Sequence, residues 1–387
     1  MRFLTDLSIL SQDQPLAIYG SGKQGLAFKH YLDRYRPETR VACFVDSFTR
    51  GQKDGLPVLH VDDLAGMKEP VRVVVASVFY AAIVQELEGR GVRDALVLHP
   101  AVNPGQCFWE EELGDLGPEL AAAEAVFLRP EDRDLFRRVV ALRTVTLEMF
   151  NVLAMGQEQA LPGCAGGLEM TPWPPHGHVY LDFFEDLRFR TIIEGGTFDG
   201  TNSLDFLERL TPDGHLFAFE PFPRFLHEGP HAARLAADPR FTLVHGGLWE
   251  TDGESWLWVD GEASRVEGPS GQDGASGRQE QSGGAGLVPV PLFSVDGFVR
   301  KQGLASLDLL KLDVENAELP VLRGAAQSLA RFRPCLAVCL YHSKFDLFQI
   351  PLHLARTLPG YRFRLGHYST GILDTVLYGL PQERFPG

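Results

Sequence analysis

One stretch near the middle of the chain restricts the fold more than any other. An apolar run ending at Ile193 is followed by a turn of acids and glycines, residues 194–200, and then by an amphipathic segment. A second apolar run ends at Glu220. A strand that breaks at a glycine turn and continues through a helix into another strand is a βαβ unit. The stretch therefore predicts an α/β fold with a ligand site at the carboxyl edge of its strands.

The side chains of this turn indicate the charge of the ligand. Its glycines let the backbone bend sharply and approach a ligand without a Cβ in the way. A dinucleotide site would place an anion-binding turn here, whereas Glu194 and Asp199 bring negative charge. S-adenosylmethionine, which carries a sulfonium, an ammonium and two ribose hydroxyls that Glu220 could accept from, suits such a turn. An ordinary turn with solvated acids is the alternative that this loop alone leaves open.

Two further apolar runs end in polar side chains in the same way. Residues 307–312 lead into Asp313 and Glu315, and residues 336–341 lead into His342. The carboxyl ends of parallel strands meet at one edge of a sheet, so these side chains are expected beside the glycine turn. The sequence therefore predicts one acid-rich site to which several strands contribute.

Taken together, these motifs resemble those of the FkbM-type family of S-adenosylmethionine-dependent methyltransferases. The motifs are an acid-Gly-Gly-x-aromatic-Asp-Gly turn at 194–200, Phe-Glu-Pro at 219–221, Lys-x-Asp-x-Glu at 311–315 and Tyr-His at 341–342. The resemblance extends over about residues 180 to 380 and implies a class I methyltransferase-like Rossmann fold, a parallel sheet with a terminal antiparallel pair. Asn316 departs from the pattern, since it stands where the family has glycine. Asn tolerates positive φ better than most residues, so the turn is expected to survive.

The resemblance also places cofactor-binding residues. They are Glu194, Gly195, Gly196, Phe198, Asp199, Glu220, Pro221, Leu248 and Asp313. Among them, Glu220 is expected to hold the ribose, and Glu194 with Asp199 to contact the methionine end. The cofactor implied is S-adenosyl-L-methionine.

Catalysis is predicted to involve His342, Glu315 and Asp346. An imidazole with an ordinary pKa near 6.5 is largely neutral at pH 7, so His342 is expected to act as the general base. Asp346 would orient its ring, and Glu315 would hold the acceptor. The alternative left open is that His342 only hydrogen-bonds backbone where its strand ends.

A metal ion is the other use that these side chains allow. Asp313, Glu315 and His342 offer oxygen and imidazole ligands for a divalent cation. The site is nevertheless predicted to be metal-free, because the family resemblance does not require an ion.

Residues 15–99 repeat the strand, turn and helix pattern on a smaller scale. A GxGxxG turn, formed by Gly20, Gly22 and Gly25, is followed by Asp46 at about the spacing of a ribose-binding acid. We predict a small parallel Rossmann-like domain, similar to nucleotide-binding domains of some sugar-modifying enzymes. Whether it grips a nucleotide or nucleotide-sugar, or is structural or dimerising, is left open. No nicotinamide chemistry is expected, because no hydride-transfer signature follows.

Length and charge set the wider expectations. The 387 residues suffice for two domains, predicted as 1–104 and 181–387 with connecting helices and a linker at 105–180. A net charge of −15 disfavours nucleic acid as a partner. No apolar run approaches the roughly 20 residues of a membrane span. The N-terminus does not read as a secretory signal, so a cytoplasmic location is expected.

The leading hypothesis is an S-adenosylmethionine-dependent O-methyltransferase. By resemblance it acts on a hydroxyl of a sugar, a glycan precursor or a secondary metabolite, so its partner is a small-molecule or glycan acceptor. The rival is a catalytically silent nucleotide- or nucleotide-sugar-binding scaffold of a biosynthetic complex. A homodimer is left open.

Overall fold

The computed structural model describes residues 2–4, 7, 10, 14–77, 79–98, 105–145, 178–184, 186–258, 265–266, 287–369 and 371–384. The chain divides into two compact units. The first comprises residues 1–118, 138–169 and 370–372, and the second 119–137, 170–369 and 373–387. The domain bounds at 104 and 180 stay a prediction. Within the predicted connecting segment, 105–180, residues 146–177 lie outside the described residues. Within the described residues, no helix has the length and apolar character needed to cross a membrane.

The first unit contains a mostly parallel seven-stranded sheet. Its strands are β1 (Arg2–Phe3), β2 (Leu16–Tyr19), β3 (Val41–Asp46), β4 (Gly51–Lys53), β5 (Leu56–His60), β6 (Arg72–Val75) and β7 (Leu96–Val97). Their order across the sheet is β1-β7-β6-β2-β3-β5-β4. The short edge strand β4 is antiparallel to β5, and the other described pairs are parallel.

Helices and one further strand pair complete the description of the N-terminal half. The helices are α1 (Lys23–Tyr35), α2 (Tyr80–Gly89), α3 (Glu110–Glu124) and α4 (Pro130–Leu142), with a 3₁₀ helix at Val61–Gly66. The pair is β8 (Phe108–Trp109) with β9 (Thr144–Val145). The helix α1 begins directly after the glycine turn, and Phe28, Tyr31 and Leu32 on one of its faces are buried in the core. This i, i+3, i+4 spacing is the apolar stripe of a helix that packs on a sheet.

The second unit contains a larger set of strands. They are β10 (Phe189–Gly195), β11 (Leu210–Glu220), β12 (Phe241–His245), β13 (Gly247–Leu248), β14 (Gly253–Trp258), β15 (Arg265–Val266), β16 (Leu287–Phe293), β17 (Leu309–Leu312), β18 (Cys335–Cys339), β19 (Tyr361–His367) and β20 (Thr375–Pro381). Seven of them form a sheet of order β12-β11-β10-β17-β18-β20-β19. The strands β13, β16, β14 and β15 form a separate small sheet.

The helices of the second unit follow the strands. They are α5 (Thr201–Glu208), α6 (Arg224–Glu228), α7 (Ala232–Ala237), α8 (Val295–Gln302), α9 (Glu318–Gly324), α10 (Ala326–Phe332) and α11 (Asp346–Thr357), with 3₁₀ helices at Val179–Leu181 and Gln382–Arg384. The helix α8 shows why the boundaries fall where they do. The Ser294 hydroxyl accepts a hydrogen bond from the Gly297 N–H, and Gly303 ends the helix at a φ of +61°.

The strand order places a ligand crevice at β10. This strand pairs in parallel with β11 on one side and with β17 on the other. The strands that follow β10 in the chain therefore lie first on one side of it and then on the other. Such a topological switch point opens a crevice outside the carboxyl ends of the strands. Every residue of β17 and β18 is buried, as expected for central strands covered on both faces. β19 and β20 form an antiparallel pair beside β18, which confirms the predicted fold class.

Candidate functional site

The glycine turn after β10 is packed tightly against neighbouring residues. Gly196 has a φ of +77°, and a Cβ there would come within 1.9 Å of the Asp313 carbonyl oxygen. Gly200 has a φ of +83°, and a Cβ there would lie 2.4 Å from a methyl of Leu235. Phe198 also has a positive φ, +48°, and is 46% exposed. The turn therefore needs glycine at two positions and presents an aromatic ring to solvent.

Glu220 ends β11 beside this turn, and backbone amides hold its carboxylate. One oxygen accepts the N–H groups of Thr197 and Phe198, each at 3.2 Å. The other accepts the Phe222 N–H at 2.9 Å. Burial raises the pKa of this carboxyl, and the three amides oppose that rise. The result is a fixed carboxylate at the switch point.

Pro221 and Leu248 are two further residues of the predicted cofactor set. Pro221 follows β11 and is half-buried. Leu248, in β13, is 3% exposed, and a Cβ on Gly195 would lie 3.0 Å from its Cδ1. Leu248 therefore packs directly against the first glycine of the turn.

Glu194 lies beneath the turn and faces a buried lysine. It is fully buried, accepts the Ser203 hydroxyl at 2.6 Å and lies 3.8 Å from the Lys311 ammonium. Burial raises the pKa of Glu194 to about 7, against the opposing effect of Lys311. Lys311 is 1% exposed and donates to the carbonyl oxygens of Gly195 and Gly196. These hydrogen bonds connect the turn to β17. This role was not predicted from the sequence, although Lys311 is the first residue of the Lys-x-Asp-x-Glu motif.

Asp199 is used within the turn itself. Its carboxylate accepts the N–H of Thr201 at 3.0 Å and the Thr201 hydroxyl at 3.1 Å. Because Thr201 is the first residue of α5, these bonds fix the start of that helix. Contact of Glu194 and Asp199 with the methionine end of a cofactor stays a prediction.

Asp313 follows β17, and two phenols hold its carboxylate. Tyr180 donates to Oδ2 at 2.8 Å and Tyr341 donates to Oδ1 at 2.9 Å. Burial alone would raise the pKa of Asp313, but the positive charges of Lys311 and His342 and the two phenols outweigh burial and lower it. Asp313 is therefore a firmly ionised carboxylate in the middle of the site.

His342 lies among three carboxylates. Its Nδ1 is 2.8 Å from Glu318 Oε1, and its Nε2 is 3.3 Å from Asp313 Oδ1 and 3.6 Å from Glu315 Oε1. Burial alone would lower the pKa of His342, but Glu318, Asp313 and Glu315 together raise it to about 10. These carboxylates favour the protonated ring, contrary to the expectation from the sequence of a ring that is largely neutral at pH 7.

The residue that orients this ring is Glu318. It is fully buried at the first position of α9, and the oxygen that contacts the ring also accepts the Val314 N–H at 2.9 Å. Asp346 was predicted to orient the ring. It instead begins α11 and accepts the Ser343 N–H at 2.8 Å. Glu318 was missed, although its place five residues after Asp313 puts it at the start of the helix that follows β17.

Left-handed backbone recurs where the strands end. Glu315 and Asn316 have φ values of +51° and +74°. Asn316 therefore adopts the conformation that its replacement of a glycine requires, as expected. Strained residues of this kind cluster at functional sites.

Asp374 is a further acid at this edge that the sequence analysis missed. It has a φ of +55° and directly precedes β20, which runs antiparallel to β18. The start of β20 therefore lies at the same edge as the end of β18. Burial, and secondarily the charge of Asp313, raise the pKa of Asp374. The predicted antiparallel pair contained the information needed to place this residue.

The glycine turn of the first unit has a similar local structure. Gly20 has a φ of +112°, and a Cβ on Gly25 would lie 1.9 Å from the Gly20 carbonyl oxygen. Gly22 precedes the first residue of α1. Asp46 accepts the hydroxyl of Ser21 at 2.6 Å. Nucleotide binding by Gly20, Gly22, Gly25 and Asp46 stays a prediction.

These contacts define what the edge of the second unit can bind. It brings together the carboxylates of Glu220, Asp313, Glu315 and Asp374, with Lys311 tied to the turn. Such a surface favours a ligand that carries positive charge and hydroxyl groups. The buried Oε1 of Glu194 has no hydrogen-bond partner among the described residues, and it adds one further acceptor beneath the turn.

Comparison with known proteins identifies relatives of this segment. Residues 194–365 match the family described as Methyltransferase FkbM domain. The 2-O-methyltransferase NoeI of Sinorhizobium fredii is 28% identical over 203 residues, which cover 48% of this chain and 77% of that protein. A solved FkbM methyltransferase from Methylobacillus flagellatus is 17% identical with a TM-score of 0.47, over 95% of this chain and 90% of that one. A solved methyltransferase from Geobacter sulfurreducens is 13% identical with a TM-score of 0.31, over 52% and 74%.

Proposed function

Because the chain is a methyltransferase whose residues 194–365 match the family described as Methyltransferase FkbM domain, we propose that it transfers a methyl group from S-adenosylmethionine to a hydroxyl. The acceptor is a sugar, a glycan precursor or a secondary metabolite. The observation that carries the proposal is the Glu220 carboxylate, fixed at the switch point by the amides of Thr197 and Phe198. A carboxylate held in this way can accept both hydroxyls of a ribose.

The residues present fit S-adenosylmethionine. The glycine turn leaves the backbone open to close approach, and a Cβ at Gly196 would collide with the Asp313 carbonyl. Glu194, Glu220 and Asp313 supply negative charge for the ammonium and sulfonium. When bound, the cofactor would supply the electrophilic methyl group.

A hydroxyl acceptor is supported by the related 2-O-methyltransferase NoeI, whose name states methyl transfer to oxygen. Displacement of this kind needs the acceptor oxygen in line with the methyl carbon. Orientation alone can contribute roughly 7–11 kcal/mol to such a reaction. Glu315, whose side chain is 43% exposed, is the carboxylate we assign to holding the acceptor.

The acceptor hydroxyl must also lose its proton. His342 was the predicted base, but Glu318, Asp313 and Glu315 raise the pKa of its ring to about 10 and so favour the protonated form. We therefore assign proton acceptance to Asp374, a half-buried carboxylate whose pKa is raised by burial and by the charge of Asp313. A base of this kind contributes typically about 10²–10⁴-fold to the rate, less than orientation does.

Incubation with methyl-labelled S-adenosylmethionine tests the proposal. The protein is mixed with a panel of monosaccharides, oligosaccharides and hydroxylated secondary metabolites, and products are separated by mass spectrometry. We expect equal amounts of S-adenosylhomocysteine and a labelled ether product. Label that appears on nitrogen or sulfur would contradict transfer to a hydroxyl. Tight binding of a nucleotide-sugar with no affinity for S-adenosylmethionine would favour the scaffold instead.

A further inference from the structure

The ring nitrogen Nε2 of His342 is one of three buried polar atoms of the candidate site, with Glu194 Oε1 and Glu318 Oε2, that have no hydrogen-bond partner among the described residues. His342 is 7% exposed. Its Nε2 has no hydrogen-bond partner of acceptable geometry, although Asp313 Oδ1 is 3.3 Å away and Glu315 Oε1 is 3.6 Å away. Buried polar atoms are nearly always paired, so an unpaired one directed at two carboxylates needs a reason.

The two distances from His342 Nε2 to the carboxylate oxygens are close to those between neighbouring ligands of one ion. With metal bonds of about 2.1 Å, two ligands at a right angle lie about 3.0 Å apart, and two at a tetrahedral angle about 3.4 Å apart. The measured 3.3 Å and 3.6 Å lie close to this range. Ligand atoms of Asp313, Glu318 and His342 also all lie within 4.8 Å of one another.

Neighbouring side chains hold two of the three ligands, His342 and Asp313, in place. Glu318 contacts Nδ1 of His342 at 2.8 Å, which fixes the ring with Nε2 toward the carboxylates. Carboxylate–histidine pairs of this kind recur behind metal ions, where they set the tautomer and the basicity of the ring. Tyr341 donates to the same oxygen of Asp313 that faces the ring.

A fixed positive charge, that of Lys311, lies on the other side of Asp313. The Lys311 ammonium is 4.0 Å from Oδ2, and Glu194 lies 3.8 Å from the same ammonium. Lys311 is therefore shared with a second carboxylate. Asp313, Glu315 and Glu318 bring more negative charge to the ring than one imidazolium offsets.

We propose that His342 Nε2, Asp313 Oδ1 and Glu315 Oε1 bind a divalent cation, which displaces the Nε2 proton of the ring to solvent, while Glu318 accepts the Nδ1 proton and orients the histidine. This departs from the metal-free site expected from the sequence. One imidazole and two carboxylates suit Mn²⁺ or Mg²⁺, which complete their coordination with water or substrate oxygens. The site shares Asp313 with the proposed cofactor site and Glu315 with the proposed acceptor site, but ion binding is measured without cofactor or acceptor.

Titration with Mn²⁺ alone tests this site, since free Mn²⁺ is counted directly by electron paramagnetic resonance. We expect the full chain, without S-adenosylmethionine, to bind one strongly held ion. Asp313→Asn, Glu315→Gln and His342→Gln should each weaken binding at least about tenfold. Glu318→Gln should weaken it by about 10–100-fold, the effect typical of an outer-shell partner. Asp213→Asn, which removes an exposed acid of the same unit, should bind as the parent does.

Thermal melts of every variant separate lost ligands from lost folding. Glu315→Gln is decisive where an interior variant unfolds, because this side chain is 43% exposed. Absence of a bound ion in the parent, or Mn²⁺ binding that survives both Glu315→Gln and His342→Gln, overturns the proposal. Since S-adenosylmethionine takes no part, these results do not depend on whether the protein transfers methyl groups.

Discussion

In each of the two large sheets of this chain, a glycine turn at the carboxyl edge holds the carboxylate that ends the neighbouring strand. In the first, Asp46 accepts the N–H and hydroxyl of Ser21 from the glycine turn and the N–H of Phe48 from its own loop. In the second, Glu220 accepts the N–H of Thr197 and of Phe222 in the same arrangement. Each acid is therefore fixed by the turn that precedes it along the chain and by the residues that follow it.

The two edges differ at the neighbouring strand on the other side of the turn. β6 leads into Ala76 and Ser77, whereas β17 leads into Asp313 and Glu315. The second edge also gains His342 after β18. A glycine turn with a fixed acid can hold a nucleoside, but it brings no chemistry of its own. This difference is the reason we propose that the reaction uses the residues that follow β17 and β18 and the acid before β20.

The largest expected effect is on turnover. Asp374→Asn should lower methyl transfer by roughly 10²–10⁴-fold, because it removes the proposed proton acceptor. Affinity for S-adenosylmethionine, measured by calorimetry, should stay within about twofold of the parent. Asp46→Asn makes the same chemical change at the other edge and should leave turnover unchanged. Full activity in Asp374→Asn would mean that a group other than Asp374 accepts the proton.

The glycine turns should respond differently to the same substitution. Gly196→Ala places a Cβ 1.9 Å from the Asp313 carbonyl oxygen at a φ of +77°. The turn must shift, so affinity for S-adenosylmethionine should fall by about 100-fold or more. Gly20→Ala, with a clash of 2.7 Å against the Ala76 carbonyl, should leave this affinity unchanged. Equal losses in both variants would mean that the first turn also serves the cofactor.

The charge of His342 should be visible in the pH dependence of stability. Burial lowers the pKa of His342, but its three carboxylates raise it to about 10. A raised pKa stabilises the fold fully below the unfolded value of about 6.5 and progressively less as the pH rises toward 10. Urea unfolding with a chelator present should therefore show the advantage of the parent over His342→Gln shrinking across that range. A constant difference from pH 6 to pH 10 would indicate a neutral ring.

The smallest effect concerns the backbone after β17. Asn316 has a φ of +74°, which glycine adopts without strain. Asn316→Gly should change the free energy of unfolding by no more than about 1 kcal/mol, because relief of strain is offset by the entropy of the unfolded chain. Asn316→Val should destabilise the fold by more than that. Equal stability of the two variants would show that this turn tolerates any residue.

The sequence predicted the strands and the turns better than the partners of individual side chains. The order of the apolar runs and the glycine at 196 were enough to predict the parallel sheet and the position of Glu220 at its carboxyl edge. Tertiary contacts decided the rest. Glu318 reaches His342 from the helix after β17, and sequence spacing does not show which acid a ring will face. The pKa of His342 was mispredicted for the same reason, since it depends on three carboxylates that converge only in the fold.

The most direct test of the account is the affinity of two matched variants for S-adenosylmethionine. Glu220→Gln and Asp46→Asn each replace a turn-held carboxylate with its amide. Loss of a charge-assisted hydrogen bond of about 1.5–3 kcal/mol should raise the dissociation constant of Glu220→Gln by roughly 10- to 150-fold. Asp46→Asn should bind as tightly as the parent. Unchanged affinity in Glu220→Gln, or a loss confined to Asp46→Asn, would contradict the placement of the cofactor at the edge of the second sheet.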